Sequence, residues 1–164
     1  MSEPPTSIPG PADGTIVPSP LRPGDTVAVV APCGPVDPGL LARGVRALEG
    51  LRLKVLTGAH VLDRDRYLAG SDAVRAADLS DAWCDPEVSA VFCARGGYGA
   101  TRILDLLDWD ALRAAGPKTL VGSSDVTALH RAFAVELGLA SLFGPMPASA
   151  VIGAANLRPS HQAG

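Results

Sequence analysis

Residues 89–108 read SAVFCARGGYGATRILDLLD and join an apolar run, a glycine-rich turn and a segment with helical spacing. A short apolar run that enters such a turn is typical of a buried strand leading into the helix of a βα unit. Residues 118–137, KTLVGSSDVTALHRAFAVEL, repeat this arrangement, with Leu129, Phe133 and Leu137 on one face of the helix. The two stretches predict parallel strands that are connected by helices.

Similar units lie on either side. Residues 26–31 (TVAVVA) and 53–57 (LKVLT) are apolar strands separated by a helical pattern that stops at Gly50, and residues 139–143 (LASLF) fit a fifth strand. Ser71 is the expected N-cap of a further helix. Val74, Ala77, Leu79 and Trp83 are expected on one side of that helix.

The predicted fold is therefore α/β: a parallel sheet of about five strands with helices on both faces, in a Rossmann or flavodoxin-like layered domain. In such sheets the binding sites form at the carboxyl ends of the strands. The loops RGGYG and GSSDVT follow two of the strands and are the candidate site loops.

Length and composition limit the domain count and the class of partner. The chain has 164 residues, enough for one domain, and its 47% hydrophobic and 19% charged residues with net charge -3 fit neither a disordered chain nor a nucleic-acid binder. Residues 1–23 hold seven of the fifteen prolines and are expected to form a disordered leader. The domain is expected over 24–150, followed by a short tail over 151–164.

The cysteines indicate the compartment. Cys33, Cys84 and Cys93 form no CxxC pair and have no histidine at metal-ligand spacing, so neither a disulfide framework nor a zinc site is supported. A reducing, cytoplasmic setting is the simpler interpretation. No stretch is long and apolar enough for a membrane span, and the N-terminus lacks signal-peptide features. We expect a soluble protein without membrane contact.

Ser124 is a candidate nucleophile. It lies between an apolar strand and an amphipathic helix, where a sharp turn can expose a hydroxyl next to the free N–H groups of a helix start. Those N–H groups can stabilise an oxyanion. The structural alternative is that Ser123 or Ser124 only caps the helix. The GxSxG pattern of α/β-hydrolases is not met, because Val126 replaces its second glycine.

The RGGYG loop is a candidate anion-binding turn. Gly96, Gly97 and Gly99 allow the backbone to approach a ligand closely or to donate N–H groups to an anion. A dinucleotide fingerprint fits poorly, since Arg102 occupies its last glycine position. A glycine-rich turn without any ligand is the other alternative.

A serine nucleophile needs a base, and the chain offers His60, His130 and His161. His130 lies six residues after Ser124, about 600° further round the same helix. His60 falls in an aperiodic loop and His161 in the tail, so none is a convincing base.

Four segments occur in order: LRPGDTVAVVAPCGPV, YLAGSDAVRAADLSDAWCDPEVSAVFCARGGYGATRILDLLD, PKTLVGSSDVTALH and LFGPM. Together they closely resemble the N-terminal domain of the LD-carboxypeptidases, serine peptidases also called muramoyltetrapeptide carboxypeptidases. The resemblance covers about residues 21–147. RGGYG paired with G-x-S-D-x-T is highly specific for this family.

The resemblance implies roles for individual residues. Ser124 matches the family's nucleophile, and the family removes the terminal D-alanine from a murein tetrapeptide without a metal or cofactor. Backbone N–H groups, placed at Asp125 and Gly97, would form the oxyanion hole. Arg95, together with Gly96, is a candidate for contact with the substrate carboxylate, because a guanidinium suits that group.

The sequence also departs from the family pattern. In the family, the His and Glu that complete the triad come from a separate C-terminal domain, whereas this chain ends soon after GPM. Cys33 stands where the family often has Ser, and Phe143 stands where a His is common. The triad is therefore expected to be incomplete, with the missing C-terminal domain as a partner.

The leading interpretation is the nucleophile-bearing half of a cytoplasmic LD-carboxypeptidase of peptidoglycan recycling, truncated and inactive alone. One alternative is a hydrolase of the same family that cleaves a peptide antibiotic for self-immunity. Another is a non-catalytic module that binds an anion or a peptide carboxylate. All three interpretations are compatible with a homodimer.

Overall fold

A computed structural model describes residues 14–150. All five strands pair in parallel in a single sheet of order β2-β1-β3-β4-β5, which is the flavodoxin-like order. The strands are β1 (Thr26–Val30), β2 (Lys54–Thr57), β3 (Val88–Cys93), β4 (Thr119–Gly122) and β5 (Leu142–Phe143). The predicted α/β class and parallel sheet are confirmed. The predicted tail, 151–164, lies outside the described residues.

Helices cover both faces of the sheet. They are α1 (Pro38–Gly50), α2 (Asp72–Cys84), α3 (Trp109–Ala114) and α4 (Thr127–Leu137), with 3₁₀ turns at Ala100–Leu106 and Ser124–Val126. Val27 and Val29 of β1 join a core with α1, whereas Ala28 and Val30 join a second core with α2 and α4. Alternate residues of one strand therefore enter opposite cores, which explains why its sequence is a continuous apolar run.

Local signals set the helix ends. The Asp37 carboxylate accepts the Leu40 N–H at 2.8 Å, and Pro38 takes the first helical position of α1. Ser71 accepts the Val74 N–H at 3.3 Å and so caps α2 as predicted. The left-handed Gly138 (φ +63°) ends α4.

The apolar side indicated for α2 is only partly buried. Leu79 and Trp83 are fully buried, whereas Ala77 is exposed. Arg75 and Asp78 are buried instead. A buried charge is tolerated only with partners, and both side chains find theirs in the loops at the carboxyl edge of the sheet.

The expected disorder of the leader is wrong for residues 14–23, while residues 1–13 lie outside the described part of the chain. Ile16 forms a parallel bridge with Leu139. Its N–H donates to the Gly138 carbonyl at 2.8 Å, and its carbonyl accepts from the Ala140 N–H at 2.8 Å. Leu21 packs against the core that contains α1. A single bridge requires no apolar periodicity, which is why the pattern did not indicate it.

Within residues 14–150, no helix has both the length and the apolar character needed to cross a bilayer.

We predict that two truncations differ in thermal stability. Deleting residues 1–13 should leave the melting temperature unchanged, because prolines without an apolar face contribute little. Deleting residues 1–23 removes the two Ile16 hydrogen bonds and the Leu21 packing, about 2 kcal/mol, and should lower the melting temperature by roughly 4–8 °C. Circular dichroism melts measure both. Equal melting temperatures would show that the Ile16 bridge does not stabilise the domain.

Candidate active site

The two candidate loops meet at the carboxyl edge of the sheet. RGGYG follows β3, and Ser123 to Asp125 follow the neighbouring β4. A Cβ atom placed on Gly96 would lie 3.0 Å from Ser124 Cβ and 3.1 Å from Ser124 Oγ. The loop backbone therefore passes directly against the serine, and a side chain at position 96 would require Ser124 to move by a few tenths of an ångström.

Ser124 has an uncommon backbone conformation. Its φ is +58°, in the left-handed region that costs a non-glycine residue about 1 kcal/mol. Gly122 permits the sharp turn before it, since a Cβ there would lie 2.6 Å from a Val126 methyl group. The Ser124 residue is exposed. Within residues 14–150, neither Ser123 nor Ser124 makes a side-chain capping bond, so the capping alternative lacks support.

Asp125 connects the two loops through its side chain. Its carboxylate accepts the Ala100 N–H at 2.9 Å, at the point where RGGYG passes into a 3₁₀ turn. Burial raises the pKa of the Cys33 thiol far above its usual range, and Cys93 and a hydrogen bond with Asp125 add to the shift. The Cys33 thiol therefore stays neutral beside the Asp125 carboxylate. Asp125 thus joins its own loop to the glycine-rich loop.

Two backbone amides of these loops, those of Asp125 and Gly97, are free to bind an anion. The Asp125 N atom lies 3.6 Å from the Cβ position of Gly96. Gly97 has φ +111°, a backbone conformation that side chains rarely adopt, and a Cβ there would lie 3.1 Å from Gly34 Cα. Both observations favour glycine at this position. Neither amide donates to any residue of the described segment. Free N–H groups next to a displayed hydroxyl can stabilise an oxyanion.

Arg95 is exposed at the start of the glycine-rich loop. Its Nη1 donates to the Pro35 carbonyl at 2.9 Å, and its guanidinium lies 3.5 Å from the Cβ position of Gly34. The group is thus held in place by one nitrogen.

Arg75 supports the site from the buried side of α2, a role that no sequence pattern indicated. Nη1 donates to the Pro32 carbonyl at 2.5 Å and to the Gly99 carbonyl at 2.9 Å, and Nε donates to the Gly70 carbonyl at 3.3 Å. The side chain also pairs with Asp72. One buried guanidinium therefore ties three loops together. The available signal was an arginine inside the apolar pattern of α2.

The two histidines within residues 14–150 both have hydrogen-bond partners other than Ser124. His130 donates from Nε2 to the Gly122 carbonyl at 3.0 Å, and its Nδ1 lies 2.6 Å from Ser141 Oγ. His60 pairs with Asp78 at 2.8 Å. No histidine within 14–150 hydrogen-bonds to Ser124, and His161 lies outside that range.

A hydroxyl displayed at a strand-to-helix turn, next to free amides, is the arrangement found in acyl-transfer enzymes. Comparison with known proteins agrees with that class. The profile of the LD-carboxypeptidase N-terminal domain matches residues 27–144. The chain belongs to the LD-carboxypeptidase family.

Relatives cover the same region. A Streptomyces coelicolor protein, named provisionally as a carboxypeptidase, is 60% identical over 134 residues, which are 80% of this chain and 43% of that protein. The murein tetrapeptide carboxypeptidase of Pseudomonas aeruginosa is 41% identical over 120 residues, 73% of this chain and 39% of that enzyme. The chain thus spans about two fifths of the length of these relatives.

Solved structures share the fold. The muramoyltetrapeptide carboxypeptidase of Oxalobacter formigenes aligns with a TM-score of 0.70 and 31% identity over 82% of this chain and 44% of that one. An MccF-like protein of Bacillus anthracis aligns with a TM-score of 0.79 and 31% identity over 87% of this chain and 43% of that one.

We predict that Arg75 is a major stabilising side chain. Arg75→Met leaves three buried carbonyls without their donor and should lower the free energy of unfolding by about 3 kcal/mol. The control is Arg102→Met, because Arg102 binds Asp72 at 2.8 Å from an exposed position, where ion pairs stabilise little. Urea titration measures both variants. Equal losses would contradict the proposed brace.

We predict a pH-dependent contribution from His60. The hydrogen bond to Asp78 raises the pKa of His60 above its usual value of 6.5, against a smaller opposing effect of burial. A raised folded-state pKa stabilises the fold fully below the unfolded value of 6.5, and this stabilisation is lost as pH rises through the folded pKa. His60→Gln should flatten the pH dependence of stability above pH 6, as measured by urea titrations at several pH values. An unchanged pH profile would exclude this contribution.

Proposed function

We propose that this chain is the nucleophile-bearing domain of a serine LD-carboxypeptidase that removes the terminal D-alanine from murein tetrapeptide. The observation that carries the proposal is the placement of Ser124: exposed, at φ +58°, and within contact distance of the Gly96 backbone position. A capping serine needs none of these features. The proposed setting is cytoplasmic peptidoglycan recycling.

In the proposed reaction, Ser124 Oγ attacks the carbonyl carbon before the terminal D-alanine. The developing oxyanion receives hydrogen bonds from the Asp125 and Gly97 amides. The C–N bond then breaks, D-alanine leaves with the proton that the base took from Ser124, and water hydrolyses the acyl-enzyme. The Asp125 carboxylate binds no substrate in this scheme. It holds the Ala100 amide and thereby fixes the position of the loop that carries Gly97.

Arg95 would bind the carboxylate of the terminal D-alanine. Its anchor on Pro35 uses Nη1 and leaves the rest of the guanidinium available for a charge-assisted hydrogen bond. Gly96, which is buried against Ser124, would let the substrate backbone approach the nucleophile.

The general base would come from outside this chain. Relatives are more than twice as long as the segment they share with it. An apolar surface next to the site supports docking of such a region, since Leu142 is 55% and Phe143 68% exposed. A groove of about 360 Å³ continues this surface between α1 and the sheet, and its lining includes Leu48, Leu51 and Phe92. The alternative to docking of such a region is that a second copy of this chain covers the surface in a homodimer.

A self-immunity hydrolase of the same family is the second candidate function. The microcin C7 self-immunity protein MccF of Escherichia coli is 29% identical over 130 residues, 77% of this chain and 38% of that protein. One solved structure of that protein is an active-site mutant in which a serine, an asparagine and a lysine are replaced by alanine. A serine in the active site therefore fits both candidates. A non-catalytic binding module would retain the free amides but would not need Ser124.

We predict that the 164-residue chain alone lacks useful carboxypeptidase activity. A hydroxyl without its base forfeits on the order of a million-fold in rate. Adding the C-terminal half of the P. aeruginosa murein tetrapeptide carboxypeptidase, fused or in trans, should restore D-alanine release, measured by chromatography. Ser124→Ala should abolish the restored activity.

Ser123→Ala is the matched control and should retain activity, because Ser123 is extended (φ −151°) and makes no side-chain capping bond. Restored activity that survives Ser124→Ala would eliminate Ser124 as the nucleophile. MccF has been solved in complex with aspartyl sulfamoyl adenosine. Restored cleavage of this compound, but not of murein tetrapeptide, would favour the self-immunity function. Rapid turnover by the unsupplemented chain would refute the need for an external base.

A further inference from the structure

The two tyrosines of the chain, Tyr67 and Tyr98, are both exposed, and their side chains lie close together beside the candidate site. The ring centroids of Tyr67 and Tyr98 lie 5.8 Å apart with a 56° tilt. Their exposed fractions are 58% and 49%. Three of the other aromatic rings, Trp83, Trp109 and Phe133, pack against one another within a core of the domain. A pair of large exposed rings next to a site commonly marks a binding surface.

The backbone on both sides of the pair is braced. Tyr67 sits in a tight turn closed by two hydrogen bonds of 2.9 Å between Asp65 and Leu68, and the following Ala69 N–H donates to the Cys33 carbonyl at 2.9 Å. Tyr98 precedes Gly99, whose carbonyl is held by Arg75. The two rings are therefore presented on fixed supports, which lowers the entropic cost of binding a ligand.

The position of Tyr98 in the glycine-rich loop limits how far the tyrosine pair can lie from Ser124. Tyr98 lies two residues beyond Gly96, so its Cα is at most about 7 Å from the Gly96 Cα, at roughly 3.5 Å per residue. In a murein tetrapeptide, three residues separate the scissile carbonyl from the muramoyl sugar. At the same rise this is about 10 Å of extended chain. A sugar on the substrate can thus reach the rings while the scissile bond lies at Ser124.

The chemistry of the pair suits an uncharged ring that carries hydroxyl groups. Each tyrosine offers an apolar face and a phenolic hydroxyl. The charged neighbour of both rings, Arg102, is bound by Asp72 through contacts of 2.8 and 2.9 Å, which balance its charge. The tilt between the rings leaves no parallel slot for a flat base. These features favour a saccharide over a nucleobase.

We infer that Tyr67 and Tyr98 form a subsite for the sugar of a glycan-linked peptide substrate. The inference rests on the proposed function, because it assumes that the peptide is cleaved at Ser124. It adds a specificity element: the domain distinguishes muramoyl tetrapeptide from the same tetrapeptide without its sugar.

An NMR titration of the 164-residue chain tests the subsite. The probes are N-acetylmuramoyl tetrapeptide, the free tetrapeptide and adenosine. The sugar-bearing peptide should bind roughly three- to tenfold more tightly than the free peptide, which corresponds to one stacking contact. It alone should shift the ring signals of Tyr67 and Tyr98. Tyr67→Ala and Tyr98→Ala should each reduce this preference, with the backbone spectrum otherwise retained.

Phe143→Ala is the matched control, because Phe143 is a more exposed aromatic (68%) in β5, two strands away from β3, and this variant should keep the preference. Equal binding of the two peptides, with shifts at the Ser124 and Gly97 amides, would overturn the subsite and leave the proposed function standing. Absence of amide shifts with either peptide would overturn both. Adenosine binding at the two rings, as tight as that of the sugar-bearing peptide, would overturn the saccharide assignment.

Discussion

The approach of the Gly96 backbone to Ser124 is the contact on which the site depends. With only 3.0 Å between a Gly96 Cβ position and Ser124 Cβ, a side chain at position 96 would displace Ser124 by a few tenths of an ångström. The same crossing places the free Asp125 amide next to the serine hydroxyl. The glycine-rich loop and the serine turn are thus two halves of one structure, formed at the ends of adjacent parallel strands.

The contact between the two loops must be stabilised by other interactions, because the loops contain unfavourable backbone conformations. Ser124 at φ +58° is strained, and Gly97 and Gly99 at +111° and +121° lose more entropy on folding than other residues would. Buried polar contacts offset these costs: Arg75 holds the Gly99 carbonyl, and Asp125 holds the Ala100 amide. Amides fixed in this way need no reorganisation when charge develops on a substrate, which is the physical basis of oxyanion stabilisation.

The sequence predicted what depends on repeating patterns and short motifs. The apolar runs indicated the strands, Ser71 and Gly50 marked helix ends, and two loops stood out because they follow strands. It did not predict the burial of Arg75 and Asp78, since their partners are backbone carbonyls and His60, distant in sequence. The Ile16 bridge and the Tyr67–Tyr98 pair also join distant segments. The positive φ of Ser124 follows from tertiary packing, which no local pattern encodes.

Comparing Ser124→Gly with Ser124→Ala in urea unfolding tests whether the fold forces Ser124 into the left-handed region. Glycine is free of the left-handed penalty, so we expect the glycine variant to be more stable than the alanine variant by about 1 kcal/mol. At the extended Ser123, the same pair should show glycine as the less stable variant. A glycine variant at 124 that is less stable than alanine by about 0.5–1 kcal/mol, as in an ordinary helical turn, would contradict the account.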